Sequence, residues 1–144
     1  IHKYEGTLER FVGDGLLVLF NDPLPCPNPS ERAVRMAVEM RACIAELAEK
    51  WRRTGHALGF GMGIAHGFAT LGRIGFEGRF DYSAIGTVVN LAARLCNEAA
   101  DGQVLIEGKV LEAVGDFCTV ESVGDLTLKG LRRPVPTYNV ISIR

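Results

Sequence analysis

Several features that mark particular classes of protein are absent from this 144-residue sequence. No two cysteines form a CxxC pair, and none has a histidine nearby at the spacing of metal ligands. This pattern is not that of a zinc-binding module. We therefore expect reduced, mostly buried thiols at all four cysteines, which are Cys26, Cys43, Cys96 and Cys118.

Long apolar runs are also missing. No stretch approaches the roughly 18 residues that a membrane-spanning helix needs, and the first ten residues, IHKYEGTLER, have no signal-peptide pattern. We expect a cytoplasmic domain without a membrane segment. The sequence lacks an initial Met and enters a strand-like pattern within a few residues, so we interpret it as a fragment of a longer chain.

An excess of positive charge is absent as well. Sixteen basic and seventeen acidic side chains leave a formal net charge of −1, so no overall positive field indicates a nucleic-acid partner or a membrane surface. An anionic ligand would have to be held by local charge. The length and the 47% of hydrophobic residues suffice for one domain with one core, which we assign to residues 1–144.

The first pattern that is present is a β-hairpin. Strand-like runs at 7–12 and 16–20 flank Gly13-Asp14-Gly15, a tight-turn signal that places Asp14 at the hairpin tip. A loop rich in proline and asparagine follows and leads into a helix.

The helix has a recognisable start and end. Asn28 is placed as its N-cap, Pro29 suits its first position, and Glu31 completes a variant of the capping box. We predict that the helix runs to about Arg53 and ends in a left-handed cap at Gly55. Its apolar residues recur at spacings of three and four and so share one face: Ala33, Ala37, Met40, Ile44, Leu47 and Trp51.

Strand and helix patterns alternate in the rest of the chain. We predict a glycine-rich buried strand at 57–74, a short strand before Gly86 and a second helix at 88–99. A strand at 103–106, a helix at 109–114 and strands at 117–123 and 137–143 should follow. The alternation indicates an α+β fold, one sheet with helices on one face.

A few residues could carry chemistry, although each also has a plainer explanation. Asp14 is either only a turn residue or, at an exposed hairpin tip, an oxygen ligand for Mg²⁺. Asn90 and Arg94 lie four residues apart on the second helix, so they are either surface residues or a pair that meets a pentavalent phosphate from one side. Lys129 alone has the pattern of a solvated lysine. We assign no role to His66, which lies in an apolar strand pattern.

Taken together and in order, five segments resemble the catalytic domain of class III adenylate and guanylate cyclases. They are LERFVGDGLLVLF, PSERAVRMAVEMR, GMGIAHGFATLGRIG, RFDYSAIGTVVNLAARL and LTLKGLRRPVPTYNV. The resemblance covers essentially the whole chain. It implies a ferredoxin-like α+β domain with a mostly antiparallel sheet, without the family's first strand and first helices. It also implies a head-to-tail homodimer with catalytic sites at the interface and an upstream sensory or regulatory domain.

The resemblance implies roles for single residues. Asp14 matches the second of two aspartates that hold two divalent ions, Mg²⁺ or Mn²⁺, while the first aspartate would lie on the missing strand. Asn90 and Arg94 match the asparagine and arginine that stabilise the transition state, across the interface from the metal aspartates. Lys129 resembles a lysine that contacts the triphosphate.

Two further positions concern the base of the substrate. Arg10 stands where adenylate cyclases usually have a base-reading lysine, and Ser83 stands where they have Asp, or Thr or Ser in a subgroup. Guanylate cyclases of animal type carry Glu and Cys there, which neither residue resembles. The resemblance therefore implies ATP as substrate, with 3′,5′-cyclic AMP and pyrophosphate as products.

Other functions stay open at this point. A non-catalytic cyclase-homology domain, which binds nucleotide or regulates an active partner, would fit the lack of the first aspartate. The joint presence of Asp14, Asn90 and Arg94 favours an enzyme instead. A guanylate cyclase is a further alternative, whereas a diguanylate cyclase would need a GG[DE]EF turn that VGDG does not provide.

Overall fold

The structure, a computed structural model, describes most of the chain: residues 1–12, 15–21, 25–55, 59–67, 70–76, 79–127 and 134–143. At 2, 10, 12, 70–76 and 79–85 it describes the backbone alone. The elements, in chain order, are β1 (Thr7–Val12), β2 (Gly15–Leu19), α1 (Pro29–Arg53), β3 (Met62–Ile64), β4 (Thr70–Phe76), β5 (Arg79–Ile85), α2 (Thr87–Glu98), β6 (Val104–Glu107), α3 (Gly108–Val114), β7 (Cys118–Leu126) and β8 (Val135–Ile143). Short 3-10 helices lie at His2–Tyr4 and Gly115–Phe117.

The strands form one four-stranded sheet and two hairpins. The sheet has the order β3-β6-β8-β7, and the hairpins are β1-β2 and β4-β5. Only β3 and β6 pair in parallel within the described strands, and the other pairs are antiparallel. The mostly antiparallel pairing, mixed with helices, confirms the predicted α+β class.

The strand predicted at 57–74 is two strands in the structure. β3 ends at Ile64 and β4 begins at Thr70, with a bend at Gly67 between them. β3 pairs with β6, whereas β4 pairs with β5 in a different sheet. Alternation with a period of two residues is the same in both strands and does not show that the chain changes sheets between them.

Helix α1 has the predicted bounds but not the predicted cap. Pro29 is its first residue, and Gly55, at a φ of 89°, follows the C-cap Thr54 and donates its N–H to the Arg52 carbonyl. Asn28 is the N-cap residue. Its backbone is left-handed, with φ 50° and ψ 57°, and its side chain makes no capping hydrogen bond within the described part of the chain. A capping side chain normally needs an extended backbone, so the predicted capping box is wrong.

The two faces of β6 bury different clusters. Val104 and Ile106 belong to the main core, with residues of α1, α3 and β8, whereas Leu105 packs with Leu91 and Leu95 of α2. Because successive side chains of a strand point to opposite faces, α1 and α3 cover one face of the sheet and α2 covers the other. The expected single helical face therefore holds for α1 and α3, and α2 differs because a strand buried at every position needs cover on both sides.

The cysteines divide into two classes. All four are free, with Cys26 and Cys118 buried as expected, but Cys43 and Cys96 are exposed. The prediction of mostly buried thiols is therefore wrong for the two that lie on the outer surfaces of α1 and α2. Of the described helices, none combines the length and the apolar character that crossing a bilayer requires.

Candidate active site

Helix α2 presents the predicted transition-state pair to solvent. Leu91 and Leu95 are buried against β6, while Asn90 and Arg94 are exposed. The helix begins directly after Gly86, whose carbonyl accepts the N–H groups of Val89 and Asn90. The spacing of four residues thus puts an amide and a guanidinium on one exposed side of a helix whose other side is fixed to the sheet.

The close approach of α2 to the sheet depends on a glycine in β3. A Cβ atom on Gly63 would lie 2.5 Å from the backbone nitrogen of Cys96 and 2.6 Å from the carbonyl oxygen of Ala92. These distances are too short for any residue other than glycine without a shift of the helix backbone. Gly63 therefore sets how near Asn90 and Arg94 lie to the sheet.

The same small core holds the ends of β7 and β8 next to α2. Leu126 and Val135 pair with each other across these strands and pack against the cluster of Leu91, Leu95 and Leu105. The segment between the two strands, 128–133, contains Lys129 and lies outside the described residues. The strand ends that precede and follow the segment with Lys129 thus lie next to α2, whereas Lys129 itself is outside the described residues.

A small cleft separates the end of α2 from these strands. It has a volume of about 180 Å³, and its lining includes Glu98, Asp125, Leu126 and Thr137. Glu98, the last residue of α2, also forms an ion pair with Arg94, with 3.1 Å between Arg94 Nη2 and Glu98 Oε1. Glu98 is not among the site residues predicted from the sequence, although its spacing of four residues from Arg94 is the signal for this pair.

The two predicted base-reading residues lie on strands that approach each other. Arg10 is in β1 and pairs with Leu17, Ser83 is in β5 and pairs with Gly72, and β1 comes near β5. Their side chains lie outside what the structure describes. The proximity of β1 and β5 is thus the structural observation that relates Arg10 to Ser83.

The described residues do not form a metal site by themselves. Within the described ranges, no group of three or more His, Cys, Asp or Glu side chains is placed to hold a metal ion. The predicted ligand, Asp14, stands between β1 and β2 in the sequence and is outside the described residues. The donor set in the described part is therefore insufficient for the two ions that the resemblance implies.

His66, to which we assign no role, lies two residues after the end of β3, outside the strand predicted for it, and contacts the start of α1. Its Nδ1 lies 2.9 Å from the Ser30 hydroxyl oxygen, and its backbone N–H donates to Glu107 Oε1. Glu107 is buried and caps α3 by accepting the N–H groups of Lys109 and Val110. These bonds join the start of α1 to the end of β3 and to α3.

The family model for the adenylate and guanylate cyclase catalytic domain matches residues 7–142. The chain belongs to this family. The domain of the adenylyl cyclase CyaB from P. aeruginosa is 33% identical and superimposes with a TM-score of 0.86, over 99% of this chain and 75% of that one. The guanylyl cyclase Cya2 is 34% identical with a TM-score of 0.88, over 99% and 73%. The predicted cyclase fold is therefore confirmed.

Curated relatives are considerably longer than this cyclase domain. An uncharacterised protein of Mycobacterium tuberculosis is 32% identical over 120 residues, which are 81% of this chain and 20% of that protein. Adenylate cyclase 1 of Rhizobium meliloti is 28% identical over 150 residues, which are 99% and 22%. The cyclase domain thus spans about a fifth of the length of these relatives.

Since adenylyl and guanylyl cyclases match it equally well, the similarity supports a nucleotidyl cyclase and does not distinguish the base of the substrate.

Proposed function

We propose that this domain is an adenylate cyclase, which converts ATP into 3′,5′-cyclic AMP and pyrophosphate. Its membership of the cyclase family supports a nucleotidyl cyclase. The observation that carries the catalytic proposal is the exposed pair of Asn90 and Arg94 on a helix anchored by Leu91 and Leu95. A rigid helix with an exposed amide and a permanent cation suits a reaction that depends on positioning and charge stabilisation.

The chemistry assigns a separate task to each side chain. The ribose 3′-hydroxyl oxygen forms a bond to the α-phosphorus, the bond from this phosphorus to the pyrophosphate oxygen breaks on the opposite side, and the hydroxyl proton passes to water. Arg94 would balance the charge that grows on the α-phosphate oxygens, and Asn90 would orient the ribose through its ring oxygen. Lys129 would contact the triphosphate.

Divalent ions belong to the proposal as cofactors. Two ions, Mg²⁺ or Mn²⁺, would lower the pKa of the 3′-hydroxyl and neutralise the triphosphate when bound. Asp14 is the residue of this chain that we assign to them, since a carboxylate is a preferred ligand of both ions. The other ligands are not assigned.

The base preference rests on Arg10 and Ser83. A guanidinium can donate to adenine N1, and a serine hydroxyl can accept from the exocyclic amine. Guanine has a donor at N1 and an acceptor at O6, so Arg10 would face a proton. The neighbouring positions of β1 and β5 support a joint role for these residues. ATP should be preferred over GTP by about one or two orders of magnitude in kcat/KM. The preference should be weaker than with an aspartate at this position, because a serine hydroxyl can also donate a hydrogen bond.

A homodimer with shared sites is the assembly that we propose. Apolar residues of the hairpin support it: Phe11 and Leu16 pair across β1 and β2, and both are exposed, by 71% and 47%. Exposed apolar pairs of this kind often mark a protein contact. Asp14 stands between these two strands in the sequence, so we propose that the shared site includes this residue.

Complementation between two inactive variants tests the proposal. Asp14→Ala and Arg94→Ala, each in the full-length protein with Mg²⁺ or Mn²⁺, should lower cyclic AMP formation by about 100-fold or more. Mixed together, they should recover activity, because one interface of the heterodimer keeps both halves. Arg52→Ala, which removes another exposed helical arginine, is the matched control and should stay active.

Other results would refute specific parts of the proposal. Full activity of Arg94→Ala would refute its catalytic role, and no recovery despite demonstrated subunit exchange would refute the shared site. A folded, unmutated protein that binds ATP but forms no cyclic nucleotide would favour the non-catalytic alternative. Preference for GTP, or an unchanged ATP to GTP ratio in an active Arg10→Glu, Ser83→Cys variant, would refute the base assignment.

A further inference from the structure

Glu98 ends α2 next to the proposed transition-state arginine. The distance from Glu98 Oε1 to Arg94 Nη2 is 3.1 Å, and the two side chains are 45% and 48% exposed. Exposed ion pairs of this kind contribute about 0–1 kcal/mol to stability. Stability alone is therefore a weak reason for a carboxylate at this position.

The position of Glu98 is also unfavourable for the helix itself. The carboxyl end of a helix carries a partial negative charge, which disfavours an acidic side chain there, and the last turn of α2 has no basic residue. An ion pair in which Arg precedes Glu by four residues stabilises a helix less than the reverse order. Both effects oppose Glu98 as an element of helix stability.

Helix α1 contains an ion pair of similar geometry in the favourable arrangement. Glu31 lies in its first turn and precedes Arg35 by four residues, with 3.2 Å between Glu31 Oε1 and Arg35 Nη2. Its charge and its order both agree with the helix dipole. The two pairs therefore have about the same length and spacing but opposite orientation.

The geometry of the Arg94 pair leaves the guanidinium able to bind a phosphate. A guanidinium has five N–H donors, and the contact with Glu98 engages the Nη2 end. Glu98 is the last residue of α2 and also lines the cleft beside β7 and β8, so the ion pair holds the Arg94 side chain toward the C-terminal side of α2. A guanidinium held on that side before substrate arrives loses less rotational freedom in the transition state.

We infer that Glu98 is a positioning residue, which holds Arg94 for the transition state of cyclisation without contacting the nucleotide. The inference rests on the proposed function, because it requires Arg94 to act on the phosphate. Loss of the carboxylate should affect kcat more than KM, because the proposed contact of Arg94 forms in the transition state.

Steady-state rates of the full-length protein test this inference. Glu98→Ala should lower kcat by about two- to fivefold and change the KM for ATP by less than about twofold. Glu98→Gln keeps an oxygen acceptor without the charge and should lie between Glu98→Ala and the unmutated protein. Glu31→Ala, the matched control in α1, should keep the unmutated kcat. Thermal unfolding of each variant checks that it is folded.

A double-mutant cycle separates a positioning role from a general effect. In the Arg94→Ala background, Glu98→Ala should have no further effect on kcat. An equal loss in both backgrounds would overturn the inference, as would a kcat of folded Glu98→Ala equal to that of the unmutated protein. Either result leaves the proposed function intact if Arg94→Ala has lost most of its activity. A fully active Arg94→Ala protein would overturn both the inference and the catalytic role of Arg94, but not the cyclase activity itself.

Discussion

The two sides of β6 are closed in different ways. On one side, Val104 and Ile106 meet the larger core cluster, to which α1, α3 and β8 contribute. On the other side, Leu105 meets Leu91 and Leu95 of a single helix. Burial of a large apolar cluster dominates stability, so the first side holds the fold together, while the second side chiefly fixes the height of α2 above the sheet.

The difference follows from the kind of contact that each side uses. α1 and α3 are held by apolar side chains, whereas α2 also lies with its backbone against Gly63. Backbone contact across a glycine allows little adjustment, which suits the proposed role of α2 in presenting Asn90 and Arg94 at a fixed place. One face of β6 thus contributes most to stability, while the other face fixes the position of α2.

Truncation of Ile106 should give the largest effect. This side chain is fully buried in the main core, so Ile106→Ala should lower the free energy of unfolding by about 2–5 kcal/mol. Ile141→Ala, the same change at an exposed position of β8, should cost less than about 1 kcal/mol. Denaturant unfolding measures both. Equal losses for the two variants would show that the α1 and α3 side does not dominate stability.

A methyl group at Gly63 should disturb positioning more than stability. Gly63→Ala would push α2 from the sheet, at a cost of about 1–3 kcal/mol, and should lower kcat by more than its loss of stability accounts for. Gly59→Ala is the control, since its Cβ would lie 3.6 Å from the Asp101 side chain, an ordinary contact. Cyclase assays and denaturant unfolding of both variants provide the test. Unmutated kcat in Gly63→Ala would refute the role assigned to β3.

The smallest effect is expected away from both faces of β6, where Lys3 and Tyr4 near the N-terminus contact α1. Tyr4 and Lys3 donate to the carboxylate of Glu39. The hydrogen bond from Tyr4, followed by that from Lys3, lowers the pKa of Glu39, and bonding to Glu39 raises the pKa of Tyr4 and of Lys3. The stability that Glu39 contributes is thus present when the pH is above the ordinary glutamate pKa of 4.5, and it is lost as the pH falls through the lowered pKa of Glu39.

At high pH, the stability depends on the two donors, Lys3 and Tyr4. Their contribution to stability is present below the ordinary tyrosine pKa of 10.0 and is lost as the pH rises through their raised pKa values. Glu39→Gln should therefore lower Tm slightly at neutral pH, and the difference from the unmutated protein should disappear in acid. Tyr4→Phe, which removes one donor, should show the same trend. A Tm difference that stays unchanged from neutral pH into strongly acidic solution, where Glu39 is protonated, would contradict this account.

Local sequence patterns predicted the helices well. Pro29 and Gly55 act within a few residues of themselves, so the bounds of α1 followed from them. The failed cap at Asn28 shows the limit of such patterns, since the left-handed backbone there is not specified by the residue type. The apolar face of α1 shows another limit, because Leu47 and Trp51 continue its spacing but are exposed.

Features that depend on distant parts of the chain were not predictable in the same way. The parallel pairing of β3 with β6 joins residues about 40 positions apart, and no local pattern distinguishes it from antiparallel pairing. For the site, the placement of Asn90 and Arg94 followed from helical spacing alone. The position of Gly63 under α2 required the structure, because a glycine in a strand has several possible reasons.

One feature of β8 connects a helix to the end of the sheet. Ile141 is an extra residue in the ladder with β7, because Val140 pairs with Val120 and Ser142 with Thr119. Arg41 of α1 donates to the carbonyls of both Val140 and Ile141 at this bulge. These carbonyls lie beyond the residues of β8 that pair with β6, which end at Asn139. The Arg41 guanidinium therefore satisfies backbone acceptors that follow this ladder and ties α1 to β8.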